Sequence, residues 1–332
     1  MIRVWIAGTG RMARSLGAHL LLAGLPVTWL SRDAGRRDEL ARFGARAARR
    51  AARARGAAPE AGAALLAQGG PAVPGAVLEV VEEDLAAKRA VWAELTPRLP
   101  TGCLRLTGSS SLLPEEIGPG LLGLHCFHPV ELCPWAELVL PPGAAAADVA
   151  GARALAEGAG LQVVEESGPA ALLANRLLLP AQALAARAVA AGLPPAEVDA
   201  AARGGLLPLG PLALMDEVGL DLIAAAVENY RRRLSPEQAG ELDGLRGVLG
   251  ALLAQGRRGR VAGDGFLAAR PLPWAPRAAR PGELEELAAA CRRGSLAGAA
   301  RALAAGWLGR EALERLLRGA LGWSEGLEEN EA

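Results

Sequence analysis

The chain opens on a short run of apolar, largely β-branched positions, Ile2 to Ala7, which breaks into GTGRMA and then into an apolar-rich segment reaching Ala23-Gly24. That order predicts a buried strand, a tight turn and a helix with a glycine stop. Pro26 and the run VTWL predict a second strand ending at Ser31-Arg32-Asp33, so residues 1 to 33 read as one right-handed βαβ unit. Residues 34 to 70 are rich in Ala and Arg and helical in character. After Pro71 and Pro74, AVLEVV predicts a strand ending in the acidic turn Glu82-Glu83-Asp84, and Leu85 to Leu95 a helix. CLRLT, LLGLHCF and WAELV read as further short strands, the first two separated by a Ser/Pro/Gly loop. Strands alternating with helices predict a parallel sheet.

Beyond about residue 168 the pattern changes to long Ala/Leu/Arg segments of helical period, broken at Pro194-Pro195 and at LLPLGPL. The expected fold is α/β: a Rossmann-like doubly wound sheet domain over residues 1–168, followed by an all-α C-terminal domain over 169–275. Residues 276–332 read as a partial second helical repeat with a polar tail, and 324–332 as disordered. A repeat supports this division. AARAVAAGLPPAEVDAAARGG from Ala185 resembles AARALAAGWLGREALERLLRG from Ala299, with Arg187/Arg301, Gly192/Gly306 and Glu197/Glu311 all offset by 114. Two helices and a turn recurring in this way suggest a duplicated module.

Composition narrows the function. Thirty-six basic residues balance thirty-six acidic ones, which leaves no overall field for nucleic acid or an anionic membrane. The amino terminus lacks the order of segments that export requires, so a cytoplasmic location is expected. Cys103, Cys126, Cys133 and Cys291 show neither a CxxC pair nor His at metal spacing; they read as reduced, small apolar residues, and no metal site is expected.

Gly8-x-Gly10-x-x-Ala13 joins the first strand to the first helix. Gly8 permits the tight turn, Gly10 lets backbone approach a pyrophosphate at the helix amino terminus, and Ala13 allows close helix–strand packing. At the end of the second strand an NAD site presents a carboxylate to the ribose 2′-hydroxyl, whereas a 2′-phosphate calls for a small polar residue and an arginine. Ser31-Arg32 points to NADP, yet Asp33 would reach the ribose if the strand ended late, so both NAD and NADP stay open. In GLHCFHPV, His125 stands twelve residues before Glu137 of WAELV. On adjacent strands the two side chains would face each other, and a carboxylate that fixes the imidazole tautomer makes His a suitable base for a hydroxyl proton.

The ordered blocks GTGRMA, LEVVEEDLAAK, GSSSL, GLHCFHPVEL with WAELV, LLANRLLLP, LPLGPLALMDEVGLD and AQGRRGRVAGDGF resemble the 3-hydroxyacyl-CoA dehydrogenase family over roughly residues 2 to 270. The resemblance implies exchange of 3-hydroxyacyl-CoA and 3-oxoacyl-CoA with NAD or NADP in fatty-acid or hydroxybutyryl-CoA metabolism. By it, His125 is the catalytic base or acid, Glu137 its orienting carboxylate, Ser110 a donor to the substrate oxygen and Asn175 a second polar contact there. Glu83 and Lys88, the only lysine of the chain, fall on positions beside the nicotinamide ribose. The Arg-rich stretch from Arg36 to Arg55 falls where the family has a helical hairpin contacting coenzyme A, and a homodimer through the helical domain is implied.

Several positions depart from the family pattern. Gly108 and His128 each replace an Asn, AAL at 170–172 replaces Pro-Gly-Phe, Val261 replaces a lysine with Arg260 next to it, and Leu267 replaces a tyrosine. His128 is expected to couple to His125 and depress its titration. A non-CoA hydroxy acid as substrate, or a nucleotide-binding protein without turnover, are the alternatives these departures leave.

Overall fold

The computed structural model describes residues 2–54, 56, 73–168, 172–203 and 207–323. The expected disorder of 324–332, the helical reading of 57–70, and residues 55, 170 and 171 lie outside the described residues. The chain forms two compact units, Met1–Ala171 and Leu172–Ala332.

In the first unit, strands β1 (Val4–Ala7), β2 (Val27–Leu30), β3 (Ala76–Glu79), β4 (Leu104–Thr107), β5 (Leu122–Cys126), β6 (Trp135–Leu140) and β7 (Gln162–Ser167) make one sheet in the order β2-β1-β3-β4-β5-β6-β7. Helices α1 (Arg11–Leu22), α2 (Ala34–Ala54), α3 (Leu85–Leu95), α4 (Pro114–Ile117) and α5 (Ala146–Gly158) connect them. The sheet is parallel except at β5–β6, which pair antiparallel, so the expected parallel sheet carries one reversal. β3 and β5 are buried at every position, which is why their apolar runs do not alternate. Asp84 caps α3 by accepting from the Ala87 N–H at 2.8 Å, and Gly24, at φ +85°, closes the turn after α1.

The sheet order reverses at β1, flanked by β2 on one side and β3 on the other, which opens a crevice at the carboxyl ends of β1 and β3. Helix α1 lies close on the sheet. Ala13 is fully buried with its carbonyl accepting from the Trp29 indole N–H at 2.8 Å, and a Cβ on Gly17 would come within 2.1 Å of that indole. The close approach expected of Ala13 therefore depends on Gly17 as well.

Every named element of the second unit is helical: α6 (Leu173–Ala190), α7 (Pro195–Arg203), α8 (Pro211–Val218), α9 (Leu220–Arg231), α10 (Pro236–Glu241), α11 (Asp243–Ala254), α12 (Glu283–Ala304) and α13 (Arg310–Arg315). Both copies of the sequence repeat are a helix, a turn and a helix, with Gly192 (φ +93°) and Gly306 (φ +65°) in the left-handed turn. α12 packs along α6. Ser295 Oγ donates to the Leu177 carbonyl at 2.8 Å, and Cys291 Sγ lies 3.9 Å from the Ala181 carbonyl. The offset of 114 exchanges these two pairs and maps Pro180 onto Gly294, whose Cβ would stand 2.7 Å from Pro180 Cβ. The repeats thus meet about a local twofold passing between Pro180 and Gly294.

Candidate active site

The glycine turn stands in the crevice where the sheet order reverses. Gly8, at φ +149°, has backbone no L side chain adopts comfortably, and a Cβ there would lie 2.6 Å from the Val80 carbonyl. Gly10 is the N-cap of α1, and nothing lies within 4 Å of the place its Cβ would take. That open space beside a helix amino terminus fits the pyrophosphate of a dinucleotide.

β2 ends at Leu30, and Asp33 is committed elsewhere: its carboxylate accepts from the Arg36 N–H at 3.0 Å and caps α2. Ser31 therefore stands directly after the strand end. Arg32 is exposed and paired with Glu94, its Nε 2.8 Å from the carboxylate. Arg37, which the sequence did not single out, donates to the carbonyls of Ser31 and Arg32, each at 3.0 Å. Its only signal in the sequence is a basic residue in the first turn of the helix that follows the strand.

His125 and Glu137 are directly opposite in the antiparallel β5–β6 ladder. The imidazole Nδ1 lies 2.5 Å from Glu137 Oε2, with Glu137 wholly buried and His125 only 6% exposed. A charged acceptor fixes the tautomer with the proton on Nδ1, which leaves Nε2 as the acceptor nitrogen. Phe127 leans on the imidazole at 5.0 Å between ring centres. Burial pushes the His125 titration down to about 4, opposed by the carboxylates of Glu83 and Glu166. The depression expected from His128 has burial as its largest cause. His128 is exposed, at the cis His128–Pro129 bond.

Ser110 belongs to a loop gathered around one carboxylate oxygen. Glu83 Oε1 accepts from the Ser109 hydroxyl at 2.5 Å, the Ser110 N–H at 3.0 Å, the Ser111 N–H at 2.8 Å and the Ser111 hydroxyl at 2.7 Å. The Ser110 hydroxyl is at 3.5 Å, the outer limit of a hydrogen bond. Lys88 is buried, with Nζ 2.9 Å from Glu79 and 3.4 Å from Glu83. Although burial works against the charged form of Glu83, the ammonium of Lys88 and the serine donors hold its titration below the ordinary carboxylate value. Glu79, fully buried, also escaped the sequence reading, because it stands inside what reads as an apolar strand.

The departure at Gly108 has a local cause. A Cβ on Gly108 would come within 2.5 Å of Val80 Cγ1, so Val80 occupies the space of a larger residue there. Leu172 adopts the left-handed conformation at φ +67° as the N-cap of α6. In the second unit, Arg260 is paired with Glu217, and Val261 and Leu267 are exposed. Asn175 lies in the first turn of α6, also in the second unit.

A doubly wound sheet with a glycine turn at its topological switch defines the class of dinucleotide-binding α/β proteins, here with a buried His–Glu pair on the same sheet. Comparison with known proteins narrows this. Residues 3–167 match the NAD binding domain of 3-hydroxyacyl-CoA dehydrogenase and residues 173–269 its C-terminal domain. The chain belongs to the 3-hydroxyacyl-CoA dehydrogenase family.

Among its relatives is the fatty acid oxidation complex subunit alpha of Vibrio cholerae, 32% identical over 198 residues, 57% of this chain. The chain spans only 27% of that protein's length. FadB2 of Mycobacterium tuberculosis is 26% identical with a TM-score of 0.65, the match covering 81% of this chain and 99% of that one. The 3-hydroxybutyryl-CoA dehydrogenase of Escherichia coli shares the fold, with a TM-score of 0.73 at 19% identity over 97% of this chain and 90% of that one. No described helix is long and apolar enough to cross a membrane.

Proposed function

We propose that this chain interconverts 3-hydroxyacyl-CoA and 3-oxoacyl-CoA thioesters with a nicotinamide cofactor, working as a cytoplasmic homodimer. The observation that carries the reaction is the buried His125–Glu137 pair. In the oxidative direction neutral His125 takes the substrate hydroxyl proton at Nε2, and Glu137 stabilises the imidazolium as it forms; in reduction His125 returns that proton. Ser110 contributes a polar contact to the substrate oxygen, and the same role for Asn175 rests on the family resemblance alone. The pyrophosphate would be held by the Gly8–Gly10 turn and the amino terminus of α1, with Glu83 at the ribose, and the cofactor when bound supplies the hydride exchange. Lys88, buried between two carboxylates, serves that ribose site through Glu83.

NADP is the cofactor this site favours. Ser31 follows the strand directly, Asp33 is used as a helix cap, and Arg37 is fixed over the turn by two backbone carbonyls, where its remaining N–H groups suit a 2′-phosphate. The exposed arginines of α2, among them Arg42, Arg46, Arg49 and Arg53, suit the phosphates of coenzyme A. The homodimer rests on the family resemblance. Since α12 covers α6, a second subunit would meet another face of the helical unit; light scattering measures the mass.

The test is nicotinamide absorbance with acetoacetyl-CoA and either NADH or NADPH, comparing the natural protein with His125→Ala. Turnover that disappears in the variant supports the reading. Equal turnover in both removes His125 from the mechanism. Tight cofactor binding with no turnover in either, or no competition by free coenzyme A, moves the substrate outside the acyl-CoA class.

A further inference from the structure

Behind the serine loop the buried charges of Glu83 and Lys88 continue to Glu79, which the reaction as described does not use. Glu79 ends β3 with no exposed surface, and both of its carboxylate oxygens are engaged. Oε2 accepts from the Thr107 hydroxyl at 2.8 Å, at the register partner of Glu79 on β4, while Oε1 accepts from the Val81 N–H at 2.8 Å and from Lys88 Nζ at 2.9 Å. Lys88 also donates to the Val81 carbonyl at 3.4 Å and faces Glu83 Oε2 at 3.4 Å. Glu83 in turn presents its other oxygen, Oε1, to the serine loop. One ammonium thus stands between two carboxylates: one anchored in the sheet, the other gathering the donors of Ser109, Ser110 and Ser111.

The desolvation of these charges sets their cost. Each ion loses its water, and a buried pair recovers that loss only when its geometry is good and its remaining donors and acceptors are matched. Replacing such a group by a neutral one leaves its former partner to find other bonds. Here the partner released by a neutral Glu79 is Lys88, and the anion next to it is Glu83. The ammonium would draw Glu83 toward itself and away from the serines, and the Ser110 backbone, whose N–H donates to Glu83 at 3.0 Å, would lose that anchor.

We propose that Glu79 is a positioning residue for the dehydrogenase reaction: through Lys88 and Glu83 it fixes the loop that carries Ser110, so the direction of the Ser110 hydroxyl is set from inside the sheet. This inference rests on the reading in which Ser110 faces the substrate oxygen. It is distinct from a stabilising role, because its effect on turnover is transmitted through one named side chain.

The experiment is a double-mutant cycle in kcat between Glu79→Gln and Ser110→Ala at saturating cofactor, with KM for acetoacetyl-CoA and thermal melting recorded for each protein. Ser110→Ala is expected to lower kcat about tenfold, the scale of one hydrogen bond made in the transition state. Glu79→Gln is expected to lower kcat by a similar factor with KM changed less than about threefold, and to cost less than about twofold when Ser110 is already Ala. Should Glu79→Gln fail to fold, Thr107→Val removes one bond to Glu79 while keeping the side-chain shape. Its smaller loss of kcat is expected to vanish in the same way when Ser110 is Ala. Equal losses in the presence and absence of the Ser110 hydroxyl overturn the proposal, as does a Ser110→Ala protein with unchanged kcat. That last result would leave His125→Ala to decide separately whether the reaction itself is correctly assigned.

Discussion

Replacing Glu137 by Gln isolates what the carboxylate does, because the amide has nearly the same shape and Glu137 is completely buried. The lost interaction is a charge-assisted hydrogen bond of 2.5 Å to Nδ1, from a site where water cannot substitute. Hydrogen bonds to charged groups contribute about 1.5–3 kcal/mol, and the bond strengthens only as the imidazolium forms, so its loss falls on the barrier. At 1.36 kcal/mol per decade this is about a 10- to 150-fold fall in kcat. A second effect adds to it. The Gln amide can donate to Nδ1, which would hold the imidazole proton on Nε2 and remove the acceptor the substrate needs; in Ser-His-Asp hydrolases the corresponding exchange costs about 10⁴-fold. The expected loss in Glu137→Gln therefore lies between about 10²- and 10⁴-fold in kcat, with KM within a few-fold. Nicotinamide absorbance at saturating cofactor measures it, and a melting curve confirms that the variant is folded. A variant within about threefold of the natural protein would refute the argument that the pair acts in the reaction.

Four further outcomes follow from the structure. Because burial pushes His125 down to about 4, its neutral form persists at acid pH: kcat/KM for oxidation should hold level from neutrality to about pH 5 and fall below that, and a midpoint near 6.5 would show the imidazole to be solvated. The same shift has a stability consequence: between pH 6.5 and about 4 the unfolded chain binds the proton and the folded one does not, so the contribution is full above 6.5 and declines as pH falls, which melting across that range would detect. Arg37→Ala should weaken NADPH about tenfold or more, the scale of one charge-assisted contact, while changing NADH less than about twofold; equal effects on the two cofactors would remove Arg37 from the 2′-phosphate site. Gly294→Leu should drive α12 away from Pro180, since even a Cβ there would come within 2.7 Å of it, and destabilise the protein by about 1–3 kcal/mol. A melting temperature unchanged by that substitution would mean that the two helices do not meet as described.

The apolar run before GTGRMA, the glycine stop at Gly24, the acidic turn Glu82-Glu83-Asp84 and the change of period beyond residue 168 rest on local preference. Local rules read them from the sequence by itself: the βαβ unit, the α3 boundaries at Leu85 and Leu95, the helical second half and the repeat with its glycine turns. The motifs also placed His125 and Glu137 on separate strands. Only the tertiary structure decided that those strands pair antiparallel in the register that sets the two side chains opposite, because strand direction is chosen by how the whole sheet closes over its helices and not by either segment alone. The fates of Asp33, Arg37, Gly17 and Gly108 were settled in the same way, by a strand that stops at Leu30, a turn of two carbonyls, an indole and a valine that come from elsewhere in the chain. Glu79 and Lys88 show the limit most clearly. In the sequence one is a charge inside an apolar strand and the other a charge on a helix; buried together, with water excluded, they become a bonded pair whose cost only a complete set of partners offsets.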